Sequence, residues 1–271
     1  MKPAAATALG HLGRWLALVV VAGVSLQLWF VARIALMRLV DPQSTTFQRS
    51  EAVRILVDKR HLPWSQQWVP YARIAPPLKR AVIASEDAGF AEHSGVEWDA
   101  LEKAWERNQR AEERVARINA EMERRAARQA PRRAAAAALP PRPPARAEPR
   151  IVGGSTITQQ LAKNLFLGSE RNWARKGQEL AITFMLEHLL GKQRILEIYL
   201  NNVEWGEGVF GAEAAARHYF HVGAGQLSPY AAARLAVMLP APKRFEKRPN
   251  SAYVAGRAGT VMARMGAVDM P

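Results

Sequence analysis

Two adjacent carboxylates, Glu86 and Asp87, lie in the string SEDAGFAEHSG (Ser85–Gly95) together with Phe90 and His93. A carboxylate shielded by apolar neighbours has a raised pKa and can take up a proton near neutrality, so this string could form an active-site edge. The same residues would equally make an exposed acidic helix end with a capping histidine. Downstream, GGSTITQQLAKN (Gly153–Asn164) places glycines ahead of a Ser/Thr-rich helix start. Free N–H groups and the helix dipole attract anions at such a place. Gln160 and Lys163, three residues apart, would face the same way and offer an amide and an ammonium to one ligand. An ordinary capped amphipathic helix fits this string too, and without a following GK[ST] it is not a P-loop. In RNWARKGQE (Arg171–Glu179), Arg175 and Glu179 stand at i, i+4 and could simply pair on a helix surface. Alternatively Glu179, at the edge of the apolar run that follows and among Arg171, Arg175 and Lys176, could organise a pyrophosphate site.

Helices must hold these strings. Leu78, Val82 and Ile83 follow helical spacing in LKRAVIASEDAGF. Thr156-x-x-Gln159 fits a capping box that opens a helix through Leu167. A second helix is expected from Asn172 to Leu190, stopped by Gly191, and a third from Gln193 to Asn202. Ser228-Pro229 opens another, ending before Pro240. Residues 41–80 carry five prolines and read as a connecting region. No stretch alternates with period two, so the fold is expected to be mainly α. Gly206, Gly208 and Gly211 spell GxGxxG, but a helix is expected before them where the dinucleotide motif needs a strand. A loop with a close helix contact is the better reading of these glycines.

The chain has no cysteine, which excludes disulfides and thiolate metal sites. From Trp15 to Ala32 it runs eighteen residues without a charge, bracketed by Arg14 and Arg33. Roughly 20 such residues cross a bilayer as a helix, and Trp15 and Trp29 suit the two interfaces. Basic residues are balanced across this span, so charge does not orient it. The expected organisation is a short tail (1–14), a transmembrane anchor (15–38), and a folded domain (39–271) interrupted at about 102–150. That interruption begins as a densely charged helix former and continues as an Ala/Pro/Arg-rich stretch expected to be disordered or extended. It holds thirteen basic and seven acidic side chains, so six of the fourteen surplus positive charges reside there.

Taken in order, SEDAGFAEHSG, GGSTITQQLAKN, RKGQE and KQRILEIYLNNVEWGEGVFGAEAAARHYF resemble the successive motifs of the peptidoglycan glycosyltransferases, most closely the monofunctional branch found in Gram-negative bacteria. The resemblance covers about residues 40–101 and 151–265. It implies a lysozyme-like, mainly α glycosyltransferase domain behind one N-terminal transmembrane helix. It also implies an enzyme that polymerises lipid II, a disaccharide-pentapeptide on undecaprenyl pyrophosphate, into β-1,4-linked glycan. On that likeness Glu86 is the general base and Glu179 the second essential glutamate, while Lys163 and Arg171 bind the pyrophosphate. Asp87, Phe90, His93, Ser155, Thr156, Gln159, Gln160, Asn164, Arg175 and Lys176 complete the expected substrate-binding set. No cofactor is required, although a divalent cation, Mg or Mn, could assist the leaving group, and no protein metal ligands are expected.

The expected partners are lipid II, the growing glycan strand and the membrane, with other cell-wall synthesis or division proteins beside them and no nucleic acid. The expected place is the bacterial inner membrane, single-pass, with the catalytic domain in the periplasm. No Ser-x-x-Lys occurs, so no transpeptidase activity is expected. Two competing readings are a lysozyme-like glycan hydrolase and a basic membrane-tethered scaffold without catalysis. The first would not need the Lys/Arg set, and the second would not depend on the glutamates.

Overall fold

The computed structural model describes residues 3–134, 147, 154–168 and 172–271. The chain forms two units, Met1–Val96 with Thr156–Pro271, and Glu97–Ser155. The first is mainly α, as expected. It contains α1 (Pro3–Leu36), α2 (Thr46–Lys59) and α3 (Pro76–Glu86). The second contains α4 (Trp98–Ala134). After it the first unit resumes with α5 (Ile157–Phe166), α6 (Trp173–Leu189), α7 (Lys192–Asn202), α8 (Ala212–Phe220), α9 (Pro229–Met238), α10 (Pro242–Phe245) and α11 (Ala252–Arg264).

The stretch His11–Leu36 of α1 is long and apolar enough to cross a membrane, and most of it faces away from the protein. The last turns of α1 are different, because Phe30, Ile34 and Met37 are buried against the domain. Trp29, Phe30 and Phe166 form an edge-to-face aromatic cluster with centroids 5.1–6.1 Å apart.

Residues 41–80 are more than a connection, because they include the 14-residue α2. Its capping box is complete: Thr45 Oγ1 accepts from the Gln48 N–H, and Gln48 Oε1 accepts from the Thr45 N–H. Arg60 closes the helix in the left-handed conformation. Thr46 Oγ1 donates to Leu165 O at 3.0 Å and Gln48 Nε2 to Asn202 O at 3.3 Å, fastening α2 to the ends of α5 and α7. Its many charges and weak apolar periodicity conceal it, since only Gln48 and Ile55 are buried.

At the centre of the unit, α9 packs against both α3 and α11. Ala231, Ala232, Ala233 and Ala236 of α9 are buried, and such small side chains let neighbouring helices approach closely. Gly191 does not end α6 in a left-handed turn. It is extended (φ −74°) and caps the start of α7, while Leu190 terminates α6.

Three short strands were not expected: β1 (Ser65–Gln66), β2 (Glu204–Gly206) and β3 (Val209–Phe210), in the order β1-β3-β2. β1 runs parallel to β3 with Ser65 opposite Val209, and β2 is antiparallel to β3. Two or three residues are too few to show an alternating pattern. The glycines of the rejected GxGxxG string make this hairpin. Gly208 (φ +75°) lies so close to Pro63 that a Cβ would meet its carbonyl oxygen at 1.8 Å, and a Cβ on Gly211 (φ +81°) would meet Asn201 O at 2.6 Å.

The second unit is dominated by the 37-residue α4. Its exposed surface carries Glu-to-Arg pairs at i, i+4, including Glu106–Arg110 at 2.9 Å and Glu121–Arg125 at 2.6 Å, in the orientation that suits the helix dipole. The side-chain amide of Asn119 exchanges two hydrogen bonds with the backbone of Ala147. The Ala/Pro/Arg-rich stretch expected to be extended lies outside the described residues, apart from Ala147 and the first four residues, which finish α4.

Behind β2 lies an uneasy charge. Glu204 is 7 % exposed, and its Oε1 has no hydrogen bond, with the Lys243 ammonium at 3.5 Å. Lys243 is already engaged by Glu51. Burial, the largest cause, raises the Glu204 pKa from 4.5 to about 7 against the pull of Lys243. The folded state therefore holds this proton more tightly than the unfolded chain, so stability falls as pH rises from about 4.5 through 7. The loss is at most about 3 kcal/mol. Glu204→Gln is accordingly expected to raise Tm by roughly 5 °C at pH 8 and to change it little at pH 5, measured by thermal melts. Deleting residues 110–148 is expected to leave the first unit folded, with an unchanged far-UV signature per residue of the remaining helices.

Candidate active site

The apolar face of α3 (Leu78, Ala81, Val82 and Ile83) is fully buried, so the helix presents its last residue, Glu86, from a fixed frame. At Asp87 the chain turns out of the helix, although the Asp87 N–H still bonds Ile83 O at 2.9 Å. The buried Asp87 carboxylate then ties this turn to the start of α5. One oxygen accepts the Ile157 N–H at 2.9 Å and the other accepts from His93 Nε2 at 2.7 Å. His93 Nδ1 accepts the Gly95 N–H, which places the ring proton on Nε2. Gly95 O accepts the Thr156 hydroxyl at 2.6 Å, and that hydroxyl accepts the Gln159 N–H at 3.2 Å. Gln159 Oε1 returns to the Thr156 N–H at 3.1 Å, which completes the expected capping box.

These bonds seat α5 so that Gln160 meets Glu86. Gln160 Nε2 donates to Glu86 Oε2 at 3.0 Å, and Gln160 Oε1 accepts the Tyr199 hydroxyl at 3.0 Å. Tyr199 is buried, and burial together with Glu86 and Asp87 raises its pKa well above the ordinary value, so it stays a donor. It therefore fixes which end of the Gln160 amide faces Glu86. The half-buried Glu86 has its own pKa raised, chiefly by burial. Gln160 opposes the shift and Asp87 adds to it. Glu86 Oε1 has no hydrogen bond among the described residues and is free to take a proton from a ligand.

Lys163, Asn164 and Leu167 continue the face of α5 that Gln160 begins, at i+3, i+4 and i+7. Lys163 and Asn164 stand one turn, roughly 5 Å along α5, beyond Gln160, which meets Glu86. They line a cavity of about 540 Å³, opposite Phe47, Ser50, Glu51 and Arg54 of α2 and next to Arg175 of α6. A smaller hollow of about 280 Å³ at Trp68, Arg73 and Arg217 shares none of these residues. Glu179, 4 % exposed, receives Arg175 on Oε2 at 3.0 Å and Lys176 on Oε1. Crowding by burial, then by Arg175 and Lys176, lowers the Lys163 pKa, with Glu179 working the other way. The outcome is a surplus of positive charge facing the cavity from Arg54, Lys163 and Arg175 against Glu51, where an anionic group would be held.

Several sequence expectations change here. Phe90 has no exposed surface. It packs in the core, 4.6 Å beneath the Lys192 ammonium, and is not available to a ligand. Asp87, His93, Thr156 and Gln159 spend their polar atoms on one another and so support the site from behind. Ser155 is exposed and belongs to the second unit, and Arg171 lies outside the described residues. Glu86, Gln160, Lys163, Asn164, Arg175, Lys176 and Glu179 are the expected residues that the first unit gathers. Tyr199, Ser50 and Arg54 were missed. A tyrosine in an apolar helix face needs a hydroxyl partner, which was a usable signal for Tyr199; the α2 residues gave none.

The sequence profile described as transglycosylase matches residues 56–116 and 133–266. The chain belongs to the transglycosylase family. The "Biosynthetic peptidoglycan transglycosylase" of Burkholderia thailandensis is 48% identical over 275 residues, covering 100% of this chain and 93% of that protein. The protein of the same name in Cupriavidus metallidurans is 48% identical over 268 residues, covering 95% of this chain and 99% of its own. In Bordetella pertussis the figure is 45% over 245 residues, with 90% and 88% covered. The chain is thus a glycosyltransferase, and the sequence resemblance to that family holds.

Tyr199→Phe keeps the packing but frees the Gln160 amide. It is expected to lower kcat about tenfold, the worth of one hydrogen bond to a charged group. Gln160 holds the Glu86 pKa down, so its loss moves the acid limb of the pH–rate profile to higher pH. Gln160→Leu should show the same shift.

Proposed function

We propose that this transglycosylase polymerises lipid II into β-1,4-linked glycan, with Glu86 as the general base. The Glu86 carboxylate takes the proton of the 4-hydroxyl on the acceptor sugar. That oxygen attacks the anomeric carbon of the growing strand from the face opposite the leaving group. The new C–O bond forms as the anomeric C–O bond to the lipid pyrophosphate breaks, inverting α to β. The pyrophosphate departs with the bonding electrons, and its charge is met by Lys163, Arg175 and Lys176.

One observation carries this reading: a half-buried carboxylate with a raised pKa is held by Gln160, one turn along α5 from Lys163 in the wall of a cavity that Arg54 and Arg175 also line. A hydrolase acting on neutral glycan would have no use for those cations. A scaffold would have no use for the Tyr199–Gln160–Glu86 relay. Glu179 keeps Arg175 and Lys176 in place and tempers their charge. No cofactor is proposed to be required, and a divalent cation, Mg or Mn, would act by meeting the charge of the departing pyrophosphate. On this reading α1 is the membrane anchor, the membrane is the bacterial inner membrane, and the domain faces the periplasm, where its substrate is displayed. Further cell-wall proteins are proposed partners on the strength of that location alone.

Glu86→Gln is the deciding variant. Purified in membranes and supplied with lipid II, it is expected to lose at least about 10²-fold in polymerisation, as removal of a general base does. Its Tm should match the wild type, and full activity would refute the assignment.

A further inference from the structure

Gln27 is a polar residue inside the charge-free run of α1, six residues before Arg33. Its side-chain amide exchanges two hydrogen bonds with that of Gln178 on α6, at 2.9 and 3.1 Å. Gln27 also begins a stripe that turns toward the domain at helical spacing, since Phe30, Ile34 and Met37 on the same face are buried. The opposite faces of α1 stay open. If Arg14 and Arg33 mark the two edges of the hydrocarbon, then at 1.5 Å per residue Gln27 lies about 9 Å below the edge nearer the domain. Gln178 must lie at the same depth. The neighbouring face of α6 agrees: Trp173, Gly177, Leu180 and Phe184 recur every three or four residues without a charge, and Trp173 is 90 % exposed. In water this would be an unfavourable surface. Beside a membrane helix it continues that helix's lipid-facing side.

We propose that the Gln27–Gln178 amide pair is a positioning clamp that seats α6 in the lipid beside α1 and so fixes the depth of the catalytic domain. Two apolar surfaces alone would slide along the bilayer normal with little penalty, because lipid tails are as apolar as the side chains. A reciprocal amide pair has one register, and breaking it leaves two unsatisfied amides in hydrocarbon. Arg175 and Lys176 lie within one turn of Gln178 on α6. The clamp therefore sets the depth of these two cations relative to that of a lipid-linked pyrophosphate. The proposal rests on the anchor and polymerase reading above.

The test uses the full chain in proteoliposomes. Gln27→Leu and Gln178→Leu are each expected to raise KM for lipid II embedded in the bilayer about three- to tenfold, with kcat changed less than about twofold. A short-chain, soluble lipid II analogue should be used by both variants as by the wild type. The double variant should cost no more than either single one, because the pair is already broken. Unchanged bilayer KM, equal loss on both substrates, or additive losses would overturn the proposal. A second measurement is independent of turnover. The chain lacks cysteine, so Trp173→Cys can carry a single environment-sensitive fluorophore. Its emission should be blue-shifted and quenched by brominated lipids, and should move to the red in the Gln27→Leu background. A water-like signal in both backgrounds would refute the seating even if polymerisation proceeds. A lipid-like signal in a chain that makes no glycan would leave the seating standing and defeat the polymerase assignment.

Discussion

The carboxylate of Asp87 holds the rest of the site in place. It is buried, it follows Glu86 directly in sequence, and it accepts the first N–H of α5 from seventy residues away. A carboxylate at that position satisfies a helix N-terminus that would otherwise be buried with an orphaned donor, and its charge suits the helix dipole. Everything α5 offers to the chemistry then follows from helical geometry. Gln160 reaches Glu86, and the next turn brings Lys163 and Asn164 to the cavity wall. His93, Gly95 and Thr156 close the connection around Asp87, so the turn and the helix cannot shift independently. Residues expected to touch substrate prove to be the joinery of the site.

That difference marks how far the sequence could be read. The capping box at Thr156, the helix starting at Asn172 and the Ser228-Pro229 start all declare themselves through local rules, because the hydrogen bonds involved span three residues. The long-range partners do not. Nothing in SEDAGFAEHSG says that Asp87 points at Ile157 and not at solvent, or that Phe90 turns inward under Lys192. The α2 helix was hidden for a related reason. Its stabilising contacts are side-chain bonds to Leu165 and Asn202, while its own apolar pattern is weak and prolines surround it. Its capping box, Thr45 with Gln48, was present and legible all the same. The three strands are held only by pairing between remote segments, and sequence periodicity cannot register elements that short.

A base and a pyrophosphate site make opposing electrostatic demands. Cations beside Glu86 would stabilise its carboxylate and weaken it as a proton acceptor, while cations far from the reacting carbon would not steady the leaving group. The structure meets both demands by graded distance along one helix. Among the described residues, the influences on Glu86 are its own burial, the neutral amide of Gln160 and the carboxylate of Asp87, with no cation among them. One turn on, Lys163 answers to Glu179, Arg175 and Lys176. Glu179 is central to that separation. With one oxygen on Arg175, which lines the cavity, and the other on Lys176, it fixes two positive charges and cancels one of them. An uncompensated cluster would extend its field further toward the base, and a neutral one would hold no diphosphate. The second glutamate thus lets the proposed base, which meets α5 at Gln160, and the proposed leaving-group cations lie one turn apart along α5.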